Sequence, residues 1–493
     1  MAERPGTVLC ADIGSTFTKA LLVDLEAGVV LATTDRPTTI ASTRPEEARN
    51  EPSRSDVLDG LDQCVADLAE VDPRARDAEV LACSSAGGGL RILVVGNEEL
   101  VTAEAGRRVA LSAGGRVVGV VAVAGGSDGV AGAIRGQLTP EVSRLGRGRS
   151  RTSTTGAPDV VLLTGGTDGG NREALVAAAR ATVDAGWAGP VVVAGNVDAH
   201  PEVERVLAGL PYVLAENAVP RIGVLAPESA RAAIREMFLA HVIGGKGLSS
   251  RPGFARLVRG ATPDLVLAGV ELLARGLDEE RPGAGDVAVV DVGGATTDVY
   301  SVRTLDPELS DAGLAREVVA PTSATRTVEG DLGMRWTAVD TIEAARAMGP
   351  HVPDSLVAAA ERRRADPGFV PSSDDEFGFD EALAALAAGT AIRRHAGRAR
   401  VVVSPEGRVV ERTGVDLREV DLLVGSGGVL RHGRPGVADR VLGGLVAHHH
   451  PDGWQLPERA RVTVDAQYLL AAIGLLAVPH PDTAHRLART LAK

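Results

Sequence analysis

The chain has 493 residues, 44% hydrophobic and 24% charged, the make-up of a globular protein of about two to four domains rather than a fibrous or disordered one. Its formal charge of −13 argues against a nucleic-acid partner, since phosphate-backbone contact rests on Lys and Arg, and 2% aromatic content leaves no stacking platform for single strands. Three scattered cysteines, Cys10, Cys64 and Cys83, form no disulfide framework or C-x-x-C motif; with no signal-like start and no apolar run of ~18 residues, the expected setting is cytoplasmic, with no membrane partner.

Short β-branched runs alternating with alanine-rich stretches predict an α/β architecture. VLCADI (8–13), TKALLVDL (18–25) and VVLATT (29–34) read as three consecutive strands. Such an opening meander is not Rossmann-like, because a crossover helix follows the first strand there. A polar segment over 38–55 leads into a helix at 57–70, with Leu58, Leu61, Val65 and Leu68 at helical spacing. From 158 the pattern turns to strand, helix, strand: DVVLLTGG, NREALVAAARATV, PVVVAGN, PEVERVLAGL and PYVLAEN predict a Rossmann-type subdomain over 158–217. A strand–turn–strand unit follows at 286–302, then helices at 337–346 and 378–395. The stretch RRRADPGFVPSSDDEFG (362–378) reads as an exposed loop, DLLVGSGGVLRH as strand, turn and helix, and AQYLLAAIGLLA as a last amphipathic helix. The division implied is a first domain over 1–150, an inserted α/β subdomain over 151–225, a helical connection over 226–285 and a second domain over 286–493.

Three glycine-rich turns carry the chemistry. In the first, Asp12 ends a strand and Gly14 frees the backbone to aim N–H groups at phosphate oxygens, with Ser15, Thr16, Thr18 and Lys19 as further donors. The second repeats the design with Asp291, Gly293, Gly294, Ala295, Thr296, Thr297 and Asp298. In the third, Gly425, Ser426, Gly427 and Gly428 run from a strand into a helix, where a bare backbone can lie against a base or ribose. One such hairpin alone is an ordinary structural turn, since Gly and Asp favour turns anyway. The succession of all three in this order points to a nucleotide, with Asp12, Asp291 and Asp298 as candidate carboxylates for one Mg²⁺.

With these turns the sequence resembles the actin, Hsp70 and sugar-kinase ATPase superfamily. The resemblance implies two actin-like (ribonuclease-H-like) domains closing over MgATP, or ADP. Lys19 would contact the β- and γ-phosphates, and Asp12, Asp291 and Asp298 would hold Mg²⁺ largely through water. Gly425, Gly427 and Gly428 would line the adenosine pocket, and Asp291 would orient the attacking water, with Glu329 as a second candidate. A closer resemblance rests on ADIGSTFTKALLVD, LLTGGTDGGNRE, the AGN of VVVAGNVDA, ENAVPRIGVLAPESAR, DVGGATTDVYSV, EGDLGMRW and DLLVGSGGVLRH, and it covers the chain from about residue 8 to residue 476. Together they are similar to the MutL/GlmL family of accessory proteins of adenosylcobalamin-dependent glutamate (methylaspartate) mutase, unrelated to the mismatch-repair protein of the same name. That implies a chaperone-like ATPase, not itself a mutase, that protects or reactivates the mutase and turns over weakly without it. A small-molecule kinase of the same fold and a nucleotide-gated binding protein with negligible hydrolysis stand as alternatives.

Other signals carry less. The Gly-Gly-Lys-Gly run at 244–247 lacks the first glycine and the Ser/Thr of a P-loop. Asp198, His200 and Val203 approach the D-x-H-x-x-G pattern of cobalamin-binding domains, but valine stands where glycine is required. The turn from Thr164 to Asn171 reads equally as an anion site at a helix start or as a capped structural turn. His448, His449 and His450 are adjacent and read as a solvated loop.

Overall fold

The computed structural model describes residues 6–39, 56–97, 102–123, 127–138, 156–244, 248–249, 251, 253–305, 321–349, 351–404 and 407–493. The chain divides into two compact units. The first comprises Met1–Val23, Leu31–Leu265 and Val318–Ala320; the second comprises Asp24–Val30, Val266–Glu317 and Pro321–Lys493.

Two sheets make up the first unit. One is built from β1 (Thr7–Ile13), β2 (Phe17–Asp24), β3 (Val29–Pro37), β4 (Glu79–Ser84) and β10 (Val258–Ala261), in the order β3-β2-β1-β4-β10. β4 runs parallel to β1, and β10 parallel to β4. β1 is covered on both faces, with Val8, Leu9 and Ile13 wholly buried, which is why it reads as a continuous apolar run rather than an alternation. The predicted helix forms as Val57–Val71 and contributes Leu58, Leu61, Cys64 and Leu68 to the same core. It starts at a capping box: the Asp56 carboxylate accepts from the helix's first turn, and Asp59 accepts from the Asp56 N–H.

The second sheet comprises β5 (Leu90–Gly96), β6 (Gly115–Ala122), β7 (Val160–Leu163), β8 (Val191–Val193) and β9 (Tyr212–Leu214). Its order is β6-β5-β7-β8-β9, and every pairing is parallel. The 158–217 pattern supplies β7, β8, β9 and the helices Glu173–Asp184 and His200–Val206. β5 and β6, from residues expected in the first domain, join them. Counted from its own first strand the order is 2-1-3-4-5, the flavodoxin-like arrangement, whereas the sequence reading expected a Rossmann-type subdomain over 158–217 and assigned no strand order. Both arrangements alternate strand and helix identically along the chain, so only pairing separates them. All five strands fall between β4 and β10 in sequence, and β10, from the expected helical connection, returns to the first sheet.

The second unit is built on β13 (Val287–Val292), β14 (Thr297–Val302), β15 (Ala324–Glu329), β18 (Leu422–Ser426) and β19 (Arg461–Val464), in the order β15-β14-β13-β18-β19. β13, β14 and β15 are antiparallel neighbours, while β18 and β19 continue parallel to β13. Both units therefore carry the third-second-first-fourth-fifth order of ribonuclease-H-like domains, and in both the glycine turn follows the first strand. Two small hairpins complete the strands: β11 (Gly276–Asp278) with β12 (Arg281–Pro282), and β16 (Ala399–Ser404) with β17 (Gly407–Arg412).

Two expectations are corrected in this unit. Helices Asp354–Ala365 and Asp374–Ala396 encroach on the 362–378 segment from both ends, and Arg363, expected in an exposed loop, is 0% exposed. Its guanidinium donates to Asp380 (2.5 Å) and Glu376 (2.7 Å), a buried pairing that a charge-rich sequence disguises as surface. Helix Leu469–Leu476 is buried at every position rather than amphipathic, and the Asp465 carboxylate accepts from the N–H groups of Leu469 and Leu470 at its start. Among the described residues no helix is long and apolar enough to cross a membrane.

Candidate nucleotide-binding turns

The first and second turns are closed in the same way. Gly14 N–H donates to the Phe17 carbonyl (3.1 Å), and Gly293 N–H to the Thr296 carbonyl (2.9 Å). A Cβ would stand 2.7 Å from the Phe17 oxygen at the one glycine and 2.9 Å from the Thr296 oxygen at the other, so each closure needs glycine. Among the described residues, nothing accepts from the backbone N–H of Ser15, Thr16, Gly294 or Ala295. Successive undirected amides beside a strand-end carboxylate form the kind of concavity that takes phosphate oxygens.

The hydroxyls are divided between two tasks. Ser15 is exposed, and its Oγ donates to the Ser85 carbonyl (3.1 Å); Thr16 is exposed as well. Thr18 and Thr297, both expected among the phosphate donors, are 0% exposed. Thr18 Oγ1 bonds Thr38 Oγ1 (3.1 Å), and Thr297 Oγ1 donates to the Leu332 carbonyl (3.0 Å). They occupy equivalent places, six residues after each aspartate, and pin the second strand of each hairpin. Strand alternation explains the correction: both point to the core face.

Around Asp12 the first unit gathers three side chains. Thr262 Oγ1 donates to Asp12 Oδ1 at 2.6 Å, the Cys83 Sγ lies 3.7 Å from the same oxygen, and Lys19 Nζ is 3.7 Å from Oδ2. Burial, seconded by the Asp12 charge, pushes the Cys83 thiol well above its ordinary range, so it stays protonated. In the second unit Asp291 is partly exposed at the end of β13, across from Asp298 on β14 and Ser426 on β18. Asp298, expected as a metal carboxylate, is engaged by the buried Arg326, whose Nη2 and Nε lie 2.5 and 2.9 Å from its Oδ1. Arg326 thus occupies one of the two Asp298 oxygens, and the other, Oδ2, faces Thr296 Oγ1 at 3.5 Å. Among the described residues no group of three His, Cys, Asp or Glu side chains is placed to hold a metal.

The second turn has a buttress whose structural part the sequence left unread. The N–H of Met334 donates to the Gly293 carbonyl, those of Arg335 and Trp336 to the Gly294 carbonyl, and Thr337 Oγ1 to the Ala295 carbonyl. EGDLGMRW thus holds the carbonyl side of the turn. Arg335 reaches on to Asp380 (3.0 Å), which Arg363 also holds. Glu329 lies opposite Thr297, and its carboxylate accepts from Arg394, which binds Asp331 too. Burial raises Glu329 above the usual carboxylate range against the pull of Arg394.

At the third turn the glycines differ in purpose. A Cβ on Gly425 would meet Leu442 at 2.5 Å and Leu430 at 2.7 Å, so its bareness serves helix packing. Gly427, at φ 113°, is pressed on β13, where a Cβ would come 2.2 Å from the Val292 carbonyl. Gly428 alone has open space before it, and Ser426 is buried.

The lesser signals resolve into structure. Asp198 accepts from the Gly169 N–H (2.8 Å), Asp168 from the Val197 N–H, and Asn171 from the Ala174 N–H, so the Thr164–Asn171 turn is tied down by its own neighbours. Val203 is wholly buried. His448 and His449 are exposed, and His450 Nε2 bonds the Pro457 carbonyl. Lys246 lies outside the described residues. A cleft of about 720 Å³ in the second unit, lined by Arg281, Arg461, His485, Arg489 and Lys493 among others, opens where β19 begins. That is the opposite end of the parallel strands from Asp291 and Ser426.

Comparison with known proteins accounts for the recurring motifs. The family model described as MutL protein matches residues 8–491. The chain belongs to the MutL protein family. Protein MutL of Clostridium tetanomorphum is 36% identical over 491 residues, 97% of each chain. Among solved structures, the ethanolamine utilization protein EutJ of Carboxydothermus hydrogenoformans is 10% identical, covering 97% of this chain and 90% of its own, with a TM-score of 0.26. Gluconate kinase of Lactobacillus acidophilus is 9% identical over 97% and 91% of the two chains with a TM-score of 0.31, and xylulose kinase of the same organism 11% identical over 97% and 91% with 0.32. Membership in the MutL family thus rests on sequence, and the fold on the strand order of the two units.

Proposed function

We propose that the chain binds MgATP and hydrolyses it weakly, as an accessory protein that protects or reactivates an adenosylcobalamin-dependent glutamate/methylaspartate-type mutase. The observation that carries the nucleotide reading is the repetition of one turn: a strand-end aspartate, a glycine whose N–H closes the turn, and two amides with no acceptor, once in each unit. The mutase reading rests on membership in the MutL family together with the resemblance of its motifs.

In this reading the unbonded amides of Ser15, Thr16, Gly294 and Ala295 take phosphate oxygens, and Lys19 adds charge beside them. Asp12 and Asp291 are assigned to a hydrated Mg²⁺, which keeps several waters and needs only one or two carboxylates. Asp298 is left to Arg326. Bound Mg²⁺ would supply charge neutralisation on the phosphates. Asp291 orients the water that attacks, so catalysis comes from positioning and charge rather than covalent chemistry. Of the third turn, Gly428 is assigned to the adenosine side. We place the module between β4 and β10 as the part available to a protein partner.

The purpose of ATP would be mechanical. A mutase that loses its adenosyl group retains a tightly held, inactive cobalamin, and a nucleotide-driven change of conformation can loosen that grip through differential contacts in two states. The test is phosphate release from MgATP, with and without a glutamate-mutase-type enzyme inactivated by its own turnover, while mutase recovery is followed. Recovery that requires ATP and is lost in Asp291→Asn is the expected outcome. Wild-type hydrolysis by Asp291→Asn would remove the assignment of that residue, and hydrolysis indifferent to the mutase but saturable with one metabolite would favour a kinase.

A further inference from the structure

β1, β4 and β10 are parallel neighbours whose C-terminal ends lie side by side. Asp12 stands opposite Cys83, and Ala261 opposite Ser84. The residue after Ala261 is Thr262, where helix Thr262–Arg275 begins. Its hydroxyl donates to Asp12 Oδ1 at 2.6 Å, across 250 residues of sequence. The two oxygens of Asp12 are thereby given separate neighbours: Oδ1 faces Thr262 and the Cys83 thiol, and Oδ2 faces Lys19.

We propose that Thr262 is a positioning residue for Asp12, fixing the rotation of its carboxylate so that Oδ2 is the oxygen presented for nucleotide-bound Mg²⁺. This rests on the MgATP reading above and deepens it. The terminal torsion of an aspartate is broad and nearly two-fold, so an unrestrained carboxylate exchanges its oxygens and leans on whichever cation is nearest. At Asp12 that cation is Lys19. A hydroxyl donor on Oδ1 restrains that torsion, because a charge-assisted hydrogen bond is strong and weakens steeply as its geometry departs from linear. Cys83 is a poor substitute, being a weak thiol donor at a longer distance. Thr262 touches the carboxylate and not the nucleotide, so its effect passes through Asp12.

Thr262→Val keeps the shape and removes the donor; Thr262→Ala is a second donor-less variant should valine fail to fold, and Thr262→Ser restores the hydroxyl. The readout is Mg²⁺-dependent ADP affinity by calorimetry, titrated in Mg²⁺ and repeated with the metal chelated, alongside thermal unfolding. We expect the Mg²⁺ concentration for half-maximal tightening of ADP to rise about tenfold in the valine or alanine variant, as for loss of a hydrogen bond to a charged group. Metal-free ADP affinity and melting temperature should stay near wild type, and serine should recover the wild-type Mg²⁺ response. A merely structural role would move the metal-free affinity or the melting temperature instead. An unchanged Mg²⁺ response in the donor-less variants, with that response lost in Asp12→Asn, overturns the role of Thr262 and leaves the MgATP reading standing. Should Asp12→Asn itself bind Mg²⁺ and ADP as the wild type does, the reading beneath fails first.

Discussion

Stability of the second unit should carry a histidine signature that can be isolated. His395 is 1% exposed on helix Asp374–Ala396, with Nε2 2.8 Å from Ser301 Oγ and Nδ1 2.9 Å from Thr327 Oγ1. Burial, reinforced by the Arg303 charge, holds its pKa down to about 3, so the ring is neutral in the fold, and the two hydroxyls satisfy either tautomer. An unfolded histidine titrates near ~6.5. The unfolded chain therefore binds a proton that the folded one refuses: the contribution is full above ~6.5 and is lost as pH falls from there toward about 3. At pH ~5 the ~1.5 units below the unfolded value amount to about 2 kcal/mol. Carboxylates held low by arginine, such as Glu381 at about 2 through Arg440 and Arg434, begin to count mainly below ~4.5, and His200, also held low by burial, is common to parent and variant, so the comparison with His395→Asn at pH ~5 isolates His395. Urea unfolding of a Trp187→Phe background, leaving Trp336 and Trp454 to report on the second unit, would be compared at pH ~7.5 and ~5, with and without His395→Asn. The parent should lose about 2 kcal/mol more than the variant between the two pH values, even if the variant is weaker at both. Equal pH dependence would refute a buried neutral His395.

Three further outcomes follow from the packing around the turns. Arg363→Ala should lower second-unit stability by about 3–5 kcal/mol, read from the urea midpoint, because Asp380 and Glu376 lose their buried guanidinium. Arg363→Met should cost less if lost volume accounts for part of that figure. Gly427→Ala should weaken nucleotide affinity and stability together by about 1–3 kcal/mol, from a left-handed φ and the Val292 carbonyl in the way, whereas Gly428→Ala, facing open space, should leave stability within ~0.5 kcal/mol. Swapping Thr297 for valine should reduce stability by about 1–2 kcal/mol through the bond lost to Leu332, with little effect on phosphate affinity; a large loss of affinity at unchanged stability would return Thr297 to the phosphate donors.

Much of the fold was legible because the elements are locally encoded. Val8–Ile13 and Val287–Val292 are β-rich apolar runs that only a strand buried on both faces accommodates, and the spacing of Leu58, Leu61 and Leu68 fits only a helix. The aspartate–glycine turns were legible for the same reason, since a carbonyl within 3 Å of a would-be Cβ forces glycine into the sequence. Arg363 was misread because composition reports polarity and not partners. Helix Leu469–Leu476 was misread because a surrounding core, rather than its own periodicity, decides how many faces are covered.

The sequence by itself determined where most strands, turns and helices lie, and the family; each follows from backbone sterics, from side-chain periodicity, or from motifs continuous in the chain. Only the tertiary structure decided the 2-1-3-4-5 order of the second sheet in the first unit, the pairing of Asp298 with Arg326, and the hydroxyl that reaches Asp12 from Thr262, 250 residues away. These are contacts between strands distant in sequence. No local pattern encodes them, because which edge a strand joins and which side chain meets it are set by burial of the whole sheet.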